Sequence, residues 1–192
     1  QPYRILLTNK SNSRVMAVVS VDGINVLNGA NASPSQSGYV LEPYQSATID
    51  GWRKSLDRVA RFEFAPVKGS YAGQTGRAGQ VGVIGVAVFQ ERPRRVVARP
   101  AAAPAMRSGE SQSVADAQAE RSLGTGHGQS EWSPVDTTTF VRATSYPAET
   151  LRLDYDSWEN LYRRGIIPSR PGRPNEPDPF PGGFVPDPPR RW

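Results

Sequence analysis

The sequence contains no cysteine, a single histidine and no long apolar run. Without cysteine the chain forms no disulfide, offers no thiolate nucleophile and builds no Cys-based metal site. A zinc site that used His127 without Cys would depend on carboxylates, which are a poor set of zinc ligands. A helix that spans a bilayer needs about 20 consecutive apolar residues, so the sequence predicts no membrane span. We therefore expect neither a metal site nor a bound cofactor.

The chain is also poor in apolar residues and in concentrated charge. Apolar residues make up 37% of the 192 positions, below the ~45–50% (glycine included) that is usual for globular proteins. The net charge of +5 is spread along the chain, and the one cluster of arginines, between residues 92 and 99, lies in a Pro-containing stretch. Proteins that bind nucleic acids usually concentrate positive charge on one face or run. The sequence therefore predicts no nucleic-acid partner.

The apolar residues of the N-terminal half alternate with the period of two that β-strands require. Residues Val15–Val21 are apolar on both faces, which is typical of a central strand. Asp22 and Gly23 then separate two apolar runs and predict a two-residue hairpin turn, because both turn positions must tolerate positive φ. The predicted strands are residues 3–8, 15–21, 24–27, 38–42, 46–50, 59–64 and 81–89. The pattern predicts a mainly β protein, with an antiparallel β-sandwich or jelly-roll-like domain over residues 1–91.

The rest of the chain divides at shifts in composition. Residues 92–122 are rich in Ala, Pro and Arg and are predicted to be a low-complexity linker. Residues 123–167 contain strand-like runs at 137–143 and 150–155 and a short helix, which we expect to pack on the core. Residues 168–192 contain nine prolines in 25 positions. They cannot form a core of their own, and polyproline II is their natural conformation.

The short helix has clear start and stop signals. Asp156 or Ser157 can cap its N-terminus, and Gly165 suits the position just after its C-terminus. The apolar residues that share one helical face are Trp158, Leu161 and Tyr162.

Two side chains, Trp52 and His127, invite a functional interpretation. His127 lies in the glycine-rich segment 124–128, which we expect to be a flexible loop. A hydrolase that used His127 would need a nucleophile and an orienting acid within hydrogen-bond reach, and the sequence contains no Gly-x-Ser-x-Gly motif. Trp52 lies beside a strand and is predicted to be a core residue with its N–H satisfied. We therefore predict no catalytic residue and keep a hydrolase that uses His127 as a remote alternative.

Seven short motifs resemble those of a family of uncharacterised bacterial proteins that are taken to be exported. The motifs are VSVDGINV (19–26), GYVL (38–41), GWRKS (51–55), SYA (70–72), VGVIGVAVF (81–89), LGTGHG (123–128) and DSWENL (156–161). The resemblance covers about residues 3–167 and leaves out the tail. It implies a bacterial, exported, β-sandwich-like protein, and it implies no activity, cofactor or site residue.

We also expect the protein to be secreted, at the cell surface or in the periplasm. The sequence begins at Gln1 rather than Met, as it would after removal of an export signal.

The sequence favours a non-enzymatic structural subunit that assembles into a filament, fibre or surface lattice. The linker and the tail have little to bury within one chain, so we expect them to lie across neighbouring copies, where an extended segment can add to a sheet edge. The protein would then be a homo-oligomer or polymer, with a cell-surface partner as a further option. The candidate assembly contacts are Tyr3, Ile5 and Leu7 on one face of the first strand, and Phe180, Phe184 and Trp192 in the tail.

The alternative function is a monomeric secreted or periplasmic binding module. Its ligand surface would be formed by the loops at residues 28–37 and 66–80, since loops carry binding function more often than strands do.

Overall fold

The structure is a computed structural model that describes residues 1–93 and 122–168. Within these ranges the chain is mainly β, with antiparallel sheets and two short α-helices, and the fold is β-sandwich-like. The strands are β1 (Pro2–Tyr3), β2 (Ile5–Thr8), β3 (Val15–Val21), β4 (Ile24–Asn25), β5 (Tyr39–Leu41), β6 (Ser46–Ile49), β7 (Gly51–Arg53), β8 (Arg58–Pro66), β9 (Val83–Gln90), β10 (Leu123–Trp132) and β11 (Glu149–Asp154). The helices are α1 (Tyr71–Gln74) and α2 (Trp158–Arg163), and two short 3₁₀ helices lie at Val67–Gly69 and Ala78–Gln80. Of the predicted linker and tail, residues 94–121 and 169–192 lie outside the described residues.

The described strands form two larger sheets and one small one. In the first sheet the long strand β8 pairs with β10 on one edge and with β1 and β7 on the other. The second sheet has the order β11-β9-β3-β4, and β5 also pairs with β3. The small sheet is the pair β2-β6. The parts of the chain before and after the linker are therefore joined by pairing, because β10 adds to β8 and β11 adds to β9.

The hairpin prediction at residues 22–23 is confirmed. Asp22 and Gly23 have φ values of 52° and 73°, and they connect β3 to β4 with Val21 opposite Ile24. This positive-φ pair gives the two-residue turn whose twist matches that of the flanking strands.

Strand β3 is central and buried on both faces, as its sequence predicts. Its odd-numbered residues, such as Val19 at 1% exposure, pack in the core between the sheets together with Trp52 and Phe62. On its other face, Met16 and Val18 pack with Phe89 in a second cluster, which Phe140 covers from outside. Trp52 is a core residue, and its Nε1 donates a hydrogen bond to the carbonyl oxygen of Gly126 at 3.1 Å.

Two predictions about residues 123–143 are wrong. The glycine-rich segment is not a flexible loop but the first half of β10. Its glycines allow close approach, since a Cβ at Gly124 would lie 2.7 Å from Ser70 Cβ. Residues 137–143 form no strand beyond an isolated bridge between Arg142 and Glu91. Arg142 instead places its guanidinium 3.9 Å from the Phe89 ring centroid, so the segment covers a sheet face.

The predicted helix is present as α2. Ser157 caps it by accepting a hydrogen bond from Asn160 N, and Gly165 has a φ of 67° just after its end. Trp158 and Tyr162 remain exposed. The buried residue of this helix is Asn160, whose side chain donates to Ser122 and Asp156.

Within the described ranges, no helix combines the length and the apolar character that crossing a membrane requires.

Candidate functional sites

A buried polar cluster surrounds the hairpin turn at Asp22. Asp22 is 1% exposed, and its Oδ1 accepts hydrogen bonds from Gly82 N at 2.8 Å and from the Tyr155 hydroxyl at 2.6 Å. Its Oδ2 accepts from Thr125 N at 2.7 Å. The Thr125 hydroxyl lies 2.6 Å from the Tyr155 hydroxyl and 2.7 Å from that of Tyr3. The cluster therefore ties the β3–β4 turn to β1, to the entry of β9, to β10 and to the residue after β11.

Burial dominates the electrostatics of this cluster. Desolvation raises the pKa of Asp22, against the hydrogen bonds from Tyr155, Thr125 and Gly82 that lower it. Burial and the neighbouring Asp22 also hold the pKa of Tyr155 far above its ordinary value, and burial does the same for Tyr3. Both tyrosines are therefore protonated at neutral pH and available as donors. The sequence indicated Asp22 only as a turn residue, because its partners lie up to 133 positions away.

A small pocket lies where β7, α1 and β10 meet. The Tyr71 ring is 5.0 Å from the Trp52 ring and 5.8 Å from the His127 ring, measured between centroids. The pocket has a volume of about 170 Å³, and its lining is completed by Val26, Asn28, Gly29, Arg53 and Lys54. The strand β10 places His127 at this position, next to a bulge between residues 127 and 130.

This lining is basic and lacks the partners that a histidine-dependent hydrolase needs. Burial, and then the charge of Lys54, lower the pKa of His127 below its ordinary value of 6.5, so the imidazole is neutral at pH 7. The lining contains no Ser, Thr, Asp or Glu among the described residues. The structure thus gives His127 basic and aromatic neighbours in this pocket, without a serine nucleophile or an orienting carboxylate.

The two loops that the sequence indicated as a ligand surface meet beside this pocket. Arg77, from the segment 66–80, donates through Nη1 to the carbonyl oxygen of Gly29 at 2.9 Å and to Asn31 Oδ1 at 3.3 Å. The Arg77 guanidinium carbon also lies 5.8 Å from the Tyr71 ring centroid. The sequence did not predict this contact between the loops, because nothing in their composition specifies a partner.

An apolar groove of about 680 Å³ lies between β2 and β11. The core-facing residues Val15, Ala17, Leu41, Val86 and Val88 line it together with Leu6–Ser11 on one side and Ala148, Glu149 and Leu151 on the other. The two strands carry three exposed leucines, Leu6 on β2 and Leu151 and Leu153 on β11, with exposures of 68%, 48% and 60%. The sequence did not single out these leucines, because a strand pattern does not show which edge stays uncovered.

The structure places the three N-terminal candidate contacts against the protein's own core. Tyr3 stacks on Phe62 and Phe64 at centroid distances of 5.2 and 4.5 Å. Ile5 and Leu7 are half-buried and pack against the same cluster. The three tail candidates, Phe180, Phe184 and Trp192, lie outside the described residues, so the structure does not bring the two sets together.

Comparisons of the chain with models of known protein families, with curated proteins and with solved structures give no match. The resemblance to a bacterial exported family therefore stays a prediction. In the part of the chain that the structure describes, no group of three or more His, Asp or Glu residues is arranged to hold a metal ion.

Proposed function

We propose that the protein is a non-enzymatic structural subunit that assembles with copies of itself outside the bacterial cytoplasm. In this proposal, residues 169–192 of one copy dock in the apolar groove between β2 and β11 of the next copy. The observation that carries it is the groove itself. It has a volume of about 680 Å³ and a largely apolar lining that includes core residues of the sandwich.

The two strands beside the groove support docking of an extended segment. Within residues 1–93 and 122–168, β2 pairs only with β6 and β11 pairs only with β9. Each strand therefore keeps one edge whose backbone groups can bind another chain. The exposed Leu6 and Leu151 add apolar surface at these edges, which natural edge strands usually avoid.

The length and composition of the tail support it as the occupant. If extended as polyproline II, the 24 residues after Pro168 would span about 70 Å, several times the ~14 Å radius of gyration expected for a domain of this size. The tail carries Phe180, Phe184 and Trp192, which gain most from leaving water. Docking on a neighbour is a head-to-tail contact, which propagates when it does not close into a ring.

Light scattering and negative-stain imaging of the full chain test the proposal. We expect filaments or large oligomers from the full chain and folded monomers from a chain that ends at Pro168. Leu151→Asp should abolish assembly, whereas Leu56→Asp, at a residue of similar exposure (54%) outside the groove, should not. Circular dichroism checks that both variants fold. A full-length monomer of 20.9 kDa refutes self-assembly and indicates that the tail docks on its own domain or on another partner.

A second candidate function is a monomeric binding module. The contact that Arg77 makes with Gly29 favours it, because it brings the two candidate loops together beside a pocket. This function does not require the tail, so the truncated chain should keep any ligand that the full chain binds.

A further inference from the structure

We propose that the pocket formed by Trp52, Tyr71 and His127 binds the carboxylate group of a small molecule, with the ammonium group of Lys54 as its main charged partner. The proposal rests on the second candidate function, the binding module, and it is independent of self-assembly.

The pocket walls are held in place by contacts that do not involve a ligand. The Trp52 N–H is bound to Gly126 O, so the indole contributes its apolar ring rather than a donor. Tyr71 lies against both Trp52 and His127. A Cβ at Gly29 would lie 3.1 Å from the Tyr71 hydroxyl, so this loop approaches the ring closely. Such pre-formed walls lower the cost of ordering a site on binding.

The polar groups of the lining include several hydrogen-bond donors without partners. Within the described residues, the Lys54 ammonium group and the Tyr71 hydroxyl have no hydrogen-bond partner. Asn28 uses its Oδ1 to accept from Ala30 N at 2.9 Å, which leaves its amide N–H groups available. These three groups are hydrogen-bond donors, and the described lining contains no carboxylate. The pocket should therefore bind an anionic hydrogen-bond acceptor in preference to a cation.

The charge balance favours a single negative charge over a phosphate dianion. The Arg53 guanidinium donates through Nη1 to the carbonyl oxygens of Ser55, Leu56 and Ser133. Its Nε is buried and has no hydrogen-bond partner among the described residues. His127 is neutral at pH 7 because its pKa is lowered. Lys54 is then the more exposed cation of the lining, and a monocarboxylate matches its single charge. The volume of about 170 Å³ is equivalent to about six water molecules at ~30 Å³ each, which suits a small molecule.

The carboxylate would change the protonation of the histidine beside it. A neighbouring negative charge favours the imidazolium form and raises the pKa of His127. By reciprocity, affinity for the carboxylate then rises as pH falls through that pKa. The charged or titratable groups on the elements around His127 include Arg53 at the end of β7, Lys54 just after it, Tyr71 in α1 and Arg77 beyond that helix. On β8 and β10 they include Arg61, which pairs with Glu63 at 2.6 Å and with Glu131 at 3.4 Å.

The single histidine makes the test direct, since one imidazole resonance reports on the pocket. We would titrate the full chain with benzoate at constant ionic strength and follow this resonance by NMR across pH. The expected result is saturable binding with a raised pKa for His127. Neutral benzamide has the same shape, and it should leave the resonance unchanged.

Matched lysine variants identify the charged partner. Lys54→Gln should weaken benzoate binding about tenfold or more, since a charge-assisted hydrogen bond contributes ~1.5–3 kcal/mol. Lys68→Gln, at an exposed lysine outside the lining, should leave the affinity unchanged. Either of two results overturns the proposal: no saturable shift with benzoate, or equal binding of benzamide or inorganic phosphate. Repeating the titration on the chain that ends at Pro168 separates this outcome from the fate of the assembly proposal.

Discussion

Replacing Asp22 by Asn tests whether the buried polar cluster holds the sheets together. The side chains have nearly the same shape, and Asn tolerates the positive φ of this position. Asn can keep its oxygen toward Gly82 N and the Tyr155 hydroxyl, which both bind Oδ1. Its NH₂ group must then face Thr125 N, which is itself a donor.

The expected loss in free energy of unfolding follows from these contacts. One hydrogen bond to a charged acceptor is lost, worth ~1.5–3 kcal/mol, and two buried N–H groups are left facing each other at a further ~1 kcal/mol or more. We expect Asp22→Asn to lower stability by about 2–4 kcal/mol. The exposed Asp136 supplies the control, since Asp136→Asn should change stability by less than ~0.5 kcal/mol.

Urea unfolding of the wild type and both variants measures the effect. Tyr155→Phe tests one hydrogen bond of the cluster alone, since it removes the hydroxyl that donates to Asp22 and keeps the ring. It should lower the free energy of unfolding by about 1–2 kcal/mol. A stability of Asp22→Asn within ~0.5 kcal/mol of wild type would refute the reasoning. It would mean that the free-energy cost of burying the ionised carboxylate equals the stabilisation that its hydrogen bonds provide.

Three further predictions follow from single contacts. Gly124→Ala should destabilise the fold by about 1–3 kcal/mol in urea unfolding, because its Cβ would overlap Ser70 at 2.7 Å. Gly69→Ala, whose Cβ would meet nothing closer than 3.9 Å, should stay near wild type. Tyr3→Phe removes a hydroxyl bonded to Thr125 but keeps the ring stacking, so thermal unfolding should show a loss of about 1 kcal/mol. NMR titration of the His127 imidazole should give a pKa below 6.5, because the fold favours the neutral form. This preference makes a small contribution to the stability of the fold. The contribution is present above pH 6.5 and is lost as pH falls through the pKa of the folded state.

Local chemistry was enough to predict several elements correctly. The Asp22–Gly23 turn needs only two residues that accept positive φ between apolar runs. The central position of β3 follows from apolar residues on both of its faces, and the start of α2 follows from Ser157 as a cap. In each case the signal and the structure lie within a few residues of each other.

The segment 123–128 shows where local chemistry misleads. Its glycines predict a flexible loop, because glycine costs conformational entropy in a strand. The structure uses them in β10, where Gly124 lies close to Ser70 and where Gly126 O accepts the Trp52 N–H. The gain comes from residues more than 50 positions away, and a single sequence does not show it.

The sequence by itself determined a mainly β chain, the positions of most strands and the capped helix, because these depend on side-chain periodicity and on backbone preferences of neighbouring residues. Only the tertiary structure decided that Asp22 meets Thr125 and Tyr155, 103 and 133 positions away. It likewise decided that His127 lines a pocket with Trp52 and Tyr71, and that the edges of β2 and β11 border an apolar groove. The physical reason is that sheet pairing and close packing bring together residues that are far apart in the chain, and the local sequence around one of them does not specify the other.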